Sequence, residues 1–257
     1  MPPHAVGASP ATTTTGVYPA ALADFPVVEA RPRPEARLIC HTDPRSAAAD
    51  RFRYLRMCIR EPWSAGKLKK LLIAGALAHD GKSTITMNLA TVLADRGKHS
   101  VLVVEADLHY PSLAKALQIN PLAGLAECLT GGIAPLSAVR RIEPLGWYLL
   151  QAGEPRKNPT ELLQTPSFGQ ILRTLSGVFD WILIDSPPVV PITDTLLLQQ
   201  HADASLLVVR AGQTQRAAVE QAVTLLGKKH ILGVVLNGVE RSPHPYYYGD
   251  DPRRSEN

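Results

Sequence analysis

Four consecutive residues, Gly81-Lys82-Ser83-Thr84, combine backbone freedom, a long cation and two hydroxyls. They follow the apolar run Leu71-Leu72-Ile73-Ala74 and the short stretch Gly75-Ala76-Leu77-Ala78-His79-Asp80. They also open an amphipathic helix predicted to reach about Arg96. A strand, a tight loop and a helix N-terminus in that order make a phosphate cradle. Backbone N–H groups surround the oxygens, the lysine reaches the terminal phosphates, and the serine hydroxyl ligates Mg²⁺. The expected nucleotide contacts are therefore Ala78, His79, Asp80, Gly81, Lys82, Ser83 and Thr84. The full pattern has glycine five residues before Gly81, where Ala76 stands, and His79 occupies a place where a flexible residue is common.

Two further apolar strands end in acids. Val101-Leu102-Val103-Val104 runs into Glu105-Ala106-Asp107, and Trp181-Ile182-Leu183-Ile184 runs into Asp185-Ser186-Pro187-Pro188. At the carboxyl ends of parallel strands such acids stand beside the phosphate loop. There one can hold a metal through water and another can accept a proton. A single acid at such a place would read as a cap for the next helix. Two of them, downstream of a phosphate cradle, favour the functional reading.

The elements that must position these groups alternate along the chain. Helices are predicted over Ala47–Ile59, Thr160–Leu163, Ser167–Val178, Asp194–Gln200 and Arg216–Gly227. Strands are predicted over Lys70–Ala74, Val101–Val104, Trp147–Gln151, Trp181–Ile184, Ser205–Val209 and Ile231–Leu236. Continuous Val/Ile/Leu runs separated by helices predict an α/β fold, a mainly parallel central sheet with helices on both faces. Residues 1–40 differ, with seven prolines and the run Thr12–Thr15, and read as a disordered or extended arm. Within that arm Arg31-Pro32-Arg33-Pro34 reads as solvated linker, with a docking site as the alternative. The P-loop domain is expected over 41–240, followed by a flexible tail over 241–257.

The chain has 257 residues, 45% of them hydrophobic, which suits one α/β domain with a full core. No apolar run approaches a membrane span and the first residues lack a signal pattern, so a cytoplasmic location is expected. Cys40, Cys58 and Cys128 are scattered without metal-ligand spacing and read as reduced, mostly packed thiols. A net charge of +4 permits an anionic ligand or membrane surface and gives no call for nucleic acid.

The segments Val101–Ser112 (VLVVEADLHYPS) and Ile184–Pro188 (IDSPP) together resemble the cytoplasmic domain of bacterial tyrosine kinases. These are P-loop autokinases of capsule and exopolysaccharide assembly, related to the MinD/ParA class. Gly124–Leu129, Asn158–Leu163, Val208–Gly212 and Gly233–Asn237 extend the resemblance, which spans roughly Leu38 to Val239. It implies ATP and Mg²⁺ as cofactors, with Lys82 on phosphate charge and Ser83 on the metal. Glu105 and Asp107 match the motif that supplies the catalytic base, with Asp107 also near the metal. Asp185 matches the acid that acts on Mg²⁺ through water, and Asn237 matches an asparagine that reads adenine. Asp50, Arg53 and Arg56 match a helix that contacts the next subunit of a ring. Tyr246, Tyr247 and Tyr248 match the acceptor tyrosines of a tail presented to a neighbour.

The resemblance further implies a separate transmembrane chain-length regulator that recruits the chain to the inner face of the plasma membrane. Three departures stand out: Glu105 where the family has aspartate, His79 where it has glycine, and His109 where it has arginine. Two other readings stay open. One is a ParA/MinD-type ATPase, whose signature lysine would fall at Leu77; the other is a non-catalytic ATP-binding assembly switch.

Overall fold

The computed structural model describes residues 22–239. Tyr246, Tyr247 and Tyr248 lie outside the described residues. The first half contains β1 (Val27–Glu29), α1 (Ile39–Thr42), α2 (Ala47–Ser64), β2 (Lys70–Gly75), α3 (Lys82–Ala94) and β3 (Val101–Glu105). Three short helices follow, α4 (Leu113–Leu117), α5 (Leu125–Leu129) and α6 (Pro135–Ala138). Next come β4 (Arg140–Glu143), β5 (Trp147–Leu150), α7 (Pro159–Leu163), α8 (Ser167–Ser176) and β6 (Trp181–Asp185). The chain closes with α9 (Asp194–Gln199), β7 (Ala204–Arg210), α10 (Arg216–Leu226) and β8 (Ile231–Asn237).

The eight strands form one sheet in the order β1-β4-β5-β3-β6-β2-β7-β8. Every neighbouring pair is parallel except β4–β5, an antiparallel hairpin that the apolar pattern did not foretell. Alternate residues of the central strands enter two different cores. Leu71, Ile73, Val101, Val103 and Leu183 pack with α3 residues such as Leu89 and Leu93. Leu72, Leu102, Val104, Ile182 and Ile184 pack on the other face with Phe168, Leu172 and Leu175 of α8. Burial on both faces explains why these strands read as unbroken apolar runs. The expected covering fails at β8, an edge strand on which Val234 and Leu236 are each 58% exposed.

Helix α2 starts where expected, because the Ser46 hydroxyl accepts a hydrogen bond from Ala49 N at 3.2 Å, and it continues beyond the expected Ile59. The predicted arm needs correction. Residues from Leu22 onward belong to the domain, with β1 paired in parallel to β4 through Val27–Arg141 and Val28–Ile142. Phe25 is buried against Tyr148 and Phe179, and Leu38 is buried in the core on the α3 face. Cys40 and Cys128 are buried, which pushes both thiols up to about 12, while Cys58 is exposed. No helix among the described residues is long and apolar enough to cross a membrane.

Candidate nucleotide and metal site

The carboxyl ends of β2, β3 and β6 meet the N-terminus of α3 in a cleft of about 860 Å³. Ala78, His79, Gly81, Lys82, Ser83, Thr84 and Asp107 line it. That volume falls in the range of small-molecule sites. Gly75, one position before Ala76, does the packing work of the first glycine. A Cβ there would lie 2.9 Å from Lys82 Cγ, so the missing side chain makes room for the lysine stem. Lys82 is buried, with Nζ donating to Leu77 O at 3.5 Å. Burial pulls its amine below the usual lysine range, against the opposing pull of Asp185, Asp107 and Asp80.

The loop is braced from within. The Asp80 carboxylate accepts from Leu77 N at 2.8 Å and from the Thr214 hydroxyl at 2.6 Å. Its side chain thus shapes the loop. Asn237 donates to Asp80 O at 2.9 Å, and a Cβ on Gly81 would lie 2.1 Å from its Nδ2. The amide for which adenine reading was expected therefore rests on the phosphate loop. Arg210 donates to His79 O at 3.0 Å. His79 is left-handed (φ 65°), a conformation costing a non-glycine residue about 1 kcal/mol or more.

Ser83 donates to Asp185 Oδ2 at 2.7 Å, and Thr86, one helical turn on, donates to Oδ1 at 3.0 Å. Burial pushes the Asp185 carboxyl up to about 7, with the Ser83 hydrogen bond and the Lys82 charge pulling down. A divalent cation would supply charge that this buried carboxylate otherwise lacks. The donor set of a serine hydroxyl with the Asp185 and Asp107 carboxylates is all hard oxygen, which fits Mg²⁺. Thr86 was missed in the sequence, although its spacing from Ser83 on a helix already predicted was a usable signal.

Glu105 is engaged by the backbone. Its carboxylate is 1% exposed, and both oxygens take backbone amides: Oε1 from Ser112 N and Leu113 N at 2.7 Å each, Oε2 from Ala152 N at 3.2 Å. A group so buried and so occupied holds the loop between β3 and α4. Asp107 is the acid of that pair that reaches the cleft, with Oδ1 accepting from Tyr110 N at 2.9 Å. His109, in the place of the family's arginine, ties the loop to α9 through Asp194 Oδ2 at 2.9 Å. Asp194 also accepts from Thr160 at 2.7 Å.

Asp50 and Arg53 share a face of α2 and form an ion pair, and Arg53 also donates to Pro44 O. Arg56 donates to Val92 O at 2.9 Å and lies 3.5 Å from Asp95, so it packs α2 on the end of α3.

A ParA family model, described as NUBPL iron-transfer P-loop NTPase, matches residues 69–241. The chain is 30% identical to the tyrosine-protein kinase YwqD of Bacillus subtilis over 84% of this chain and 91% of that one. It is 32% identical to the tyrosine-protein kinase ptk of Acinetobacter johnsonii over 77% of this chain, and spans about a quarter of that longer relative (27%). Among solved structures it resembles the kinase domain of the Escherichia coli tyrosine kinase ETK, with a TM-score of 0.76 and 26% identity. That match covers 82% of this chain and 84% of the other. The septum site-determining protein MinD of Pyrococcus horikoshii shares the fold at a TM-score of 0.56 and 21% identity. At 30% identity over nine-tenths of the length of such a kinase, the chain belongs to the bacterial tyrosine kinase family, on a P-loop NTPase fold.

Proposed function

We infer that this chain is an ATP- and Mg²⁺-dependent protein-tyrosine autokinase acting in capsule or exopolysaccharide production. One observation carries the reading. Lys82, the Ser83–Asp185 pair and the free rim of Asp107 converge on one cleft at the strand ends. Ser83, with Asp185 and Asp107 beside it, would hold Mg²⁺, which would supply charge neutralisation on the phosphates. Lys82 and the amides of Ala78–Thr84 orient the γ-phosphate. Asp107 takes the proton of the tyrosine hydroxyl as its oxygen bonds to phosphorus, the bond to the β-phosphate oxygen breaks, and ADP leaves. Tyr246, Tyr247 and Tyr248 are the acceptors, presented by a neighbouring subunit of a ring formed through Asp50, Arg53 and Arg56. A transmembrane chain-length regulator recruits the chain to the inner membrane face. Names such as the succinoglycan biosynthesis transport protein ExoP of Rhizobium meliloti support the polysaccharide context.

The test is incubation with ATP and Mg²⁺, with and without the cytosolic segment of a candidate regulator, and mapping of phosphotyrosine by mass spectrometry. Label on Tyr246–Tyr248 that disappears in Lys82→Met and Asp107→Asn, and largely in the triple Tyr→Phe variant, supports the assignment. ATP binding with no phosphotyrosine under any condition points to an assembly switch, and phosphate release alone points to a ParA-type ATPase.

A further inference from the structure

The segment Arg31-Pro32-Arg33-Pro34, expected as loose linker, is stitched to the rim of the site. Arg31 N donates to Leu117 O and Arg33 N to Ala116 O, each at 2.9 Å, which fixes the segment along α4. Three residues further on, Arg37 O accepts from Asn88 of α3 at 2.9 Å. Beside these contacts lies a groove of about 410 Å³ whose lining includes Arg33 and Lys115 together with Ser83, Thr84 and Ser112. The same three hydroxyl residues line the nucleotide cleft, so the groove opens where a γ-phosphate would be received. Neither Arg33 nor Lys115 forms an ion pair among the described residues, and both are exposed. Glu35 is the single acid of the lining, against two cations.

A peptide entering this groove from the cleft meets positive charge after its reacting residue. The chain's own tail carries the complementary pattern, Tyr246-Tyr247-Tyr248-Gly249-Asp250-Asp251. At about 3.3–3.6 Å per residue, an extended chain puts Asp250 and Asp251 roughly 7–11 Å beyond Tyr248. We propose that the groove between Arg33 and Lys115 is the acceptor-peptide site, and that it selects tyrosines followed within two or three residues by acids. The inference rests on the kinase reading for its catalytic consequence, while the binding it describes is measurable without catalysis.

Two readouts on the full chain test it. The first is fluorescence anisotropy of a labelled peptide covering residues 243–253, with a non-hydrolysable ATP analogue and Mg²⁺ present. The second is the initial rate of phosphotyrosine formation on the same unlabelled peptide. The expected result is three- to tenfold weaker binding, and a matching rise in KM with little change in kcat, for Arg33→Ala/Lys115→Ala. The same loss is expected when Asp250 and Asp251 of the peptide become Asn, with no further loss when both changes are combined. A lysine-substituted peptide (Asp250→Lys, Asp251→Lys) should recover binding to Arg33→Glu/Lys115→Glu, a rescue that a folding defect cannot give. Phosphorylation that ignores the peptide acids, or additive losses, overturns the inference and leaves the kinase reading standing. Acid-dependent binding without phosphotyrosine leaves the groove standing and overturns the kinase reading.

Discussion

Replacing Glu105 with glutamine separates a proton acceptor from a loop anchor. The carboxylate takes three backbone N–H groups in a site 1% exposed. Glutamine keeps one acceptor oxygen, which can stay with Ser112 N and Leu113 N, and its amide then faces Ala152 N, donor against donor. One buried N–H left without a partner costs about 1–3 kcal/mol. Loss of the charge weakens the two remaining bonds. Removing an anion that burial already disfavours offsets part of this. The expected net loss is about 1–3 kcal/mol, or roughly 3–10 °C in Tm for a domain of this size. The loop held by Glu105 also carries Asp107, and a displacement near 1 Å costs on the order of 100-fold in rate. Melting curves and initial rates of autophosphorylation on the same preparation give both numbers. An unchanged Tm with phosphorylation abolished would refute the anchoring role and restore Glu105 as the base.

Four other outcomes follow from named contacts. Phe25→Ala should cost about 3–5 kcal/mol in urea denaturation, because its ring is buried between Tyr148 and Phe179; a detached arm would give no effect. Burial raises the Glu127 carboxyl, but hydrogen bonds from Gly124 N and Arg156 outweigh it and hold the group below its usual value of 4.5. A lowered native value stabilises above pH 4.5 and fades as pH falls through it, so Glu127→Gln should cost about 1–2 kcal/mol at pH 7 and progressively less below pH 4.5. His79→Gly should raise stability by up to about 1 kcal/mol by removing left-handed strain, read from thermal melts. Gly81→Ala, with φ 96° and a Cβ 2.1 Å from Asn237 Nδ2, should weaken nucleotide binding at least about tenfold by calorimetry while the fold persists.

The central sheet was legible because its strands are buried on both faces, which writes them as unbroken apolar runs ending at the acids. Strand β1 was not, since only Val27 and Val28 follow Pro26 and the partner β4 lies far along the chain. The cradle could be read from local order alone: strand, loop, Gly81-Lys82-Ser83. The work of Glu105 could not, because its partners come from positions 112, 113 and 152 and nothing local marks them. Asp80 and Asn237 gave the same difficulty. Their types were noticed, but Thr214 and the carbonyl of residue 80 become their partners only once β7 and β8 lie beside the loop. Spacing therefore identified which side chains gather at the site, and the tertiary contacts decided which of them stay available to a ligand.

The pairing of β1 with β4 has a consequence during synthesis. The first strand among the described residues cannot join the sheet until a partner roughly a hundred residues later has left the ribosome. At about 5–20 residues per second that interval is about 5–20 s. Throughout it Phe25 is without its seat on Tyr148 and Phe179, open to proteases and to other nascent chains. This sheet edge is closed by residues made long before their partner, so a fusion ahead of β1 that slows its docking would lengthen this exposure before it altered the finished domain.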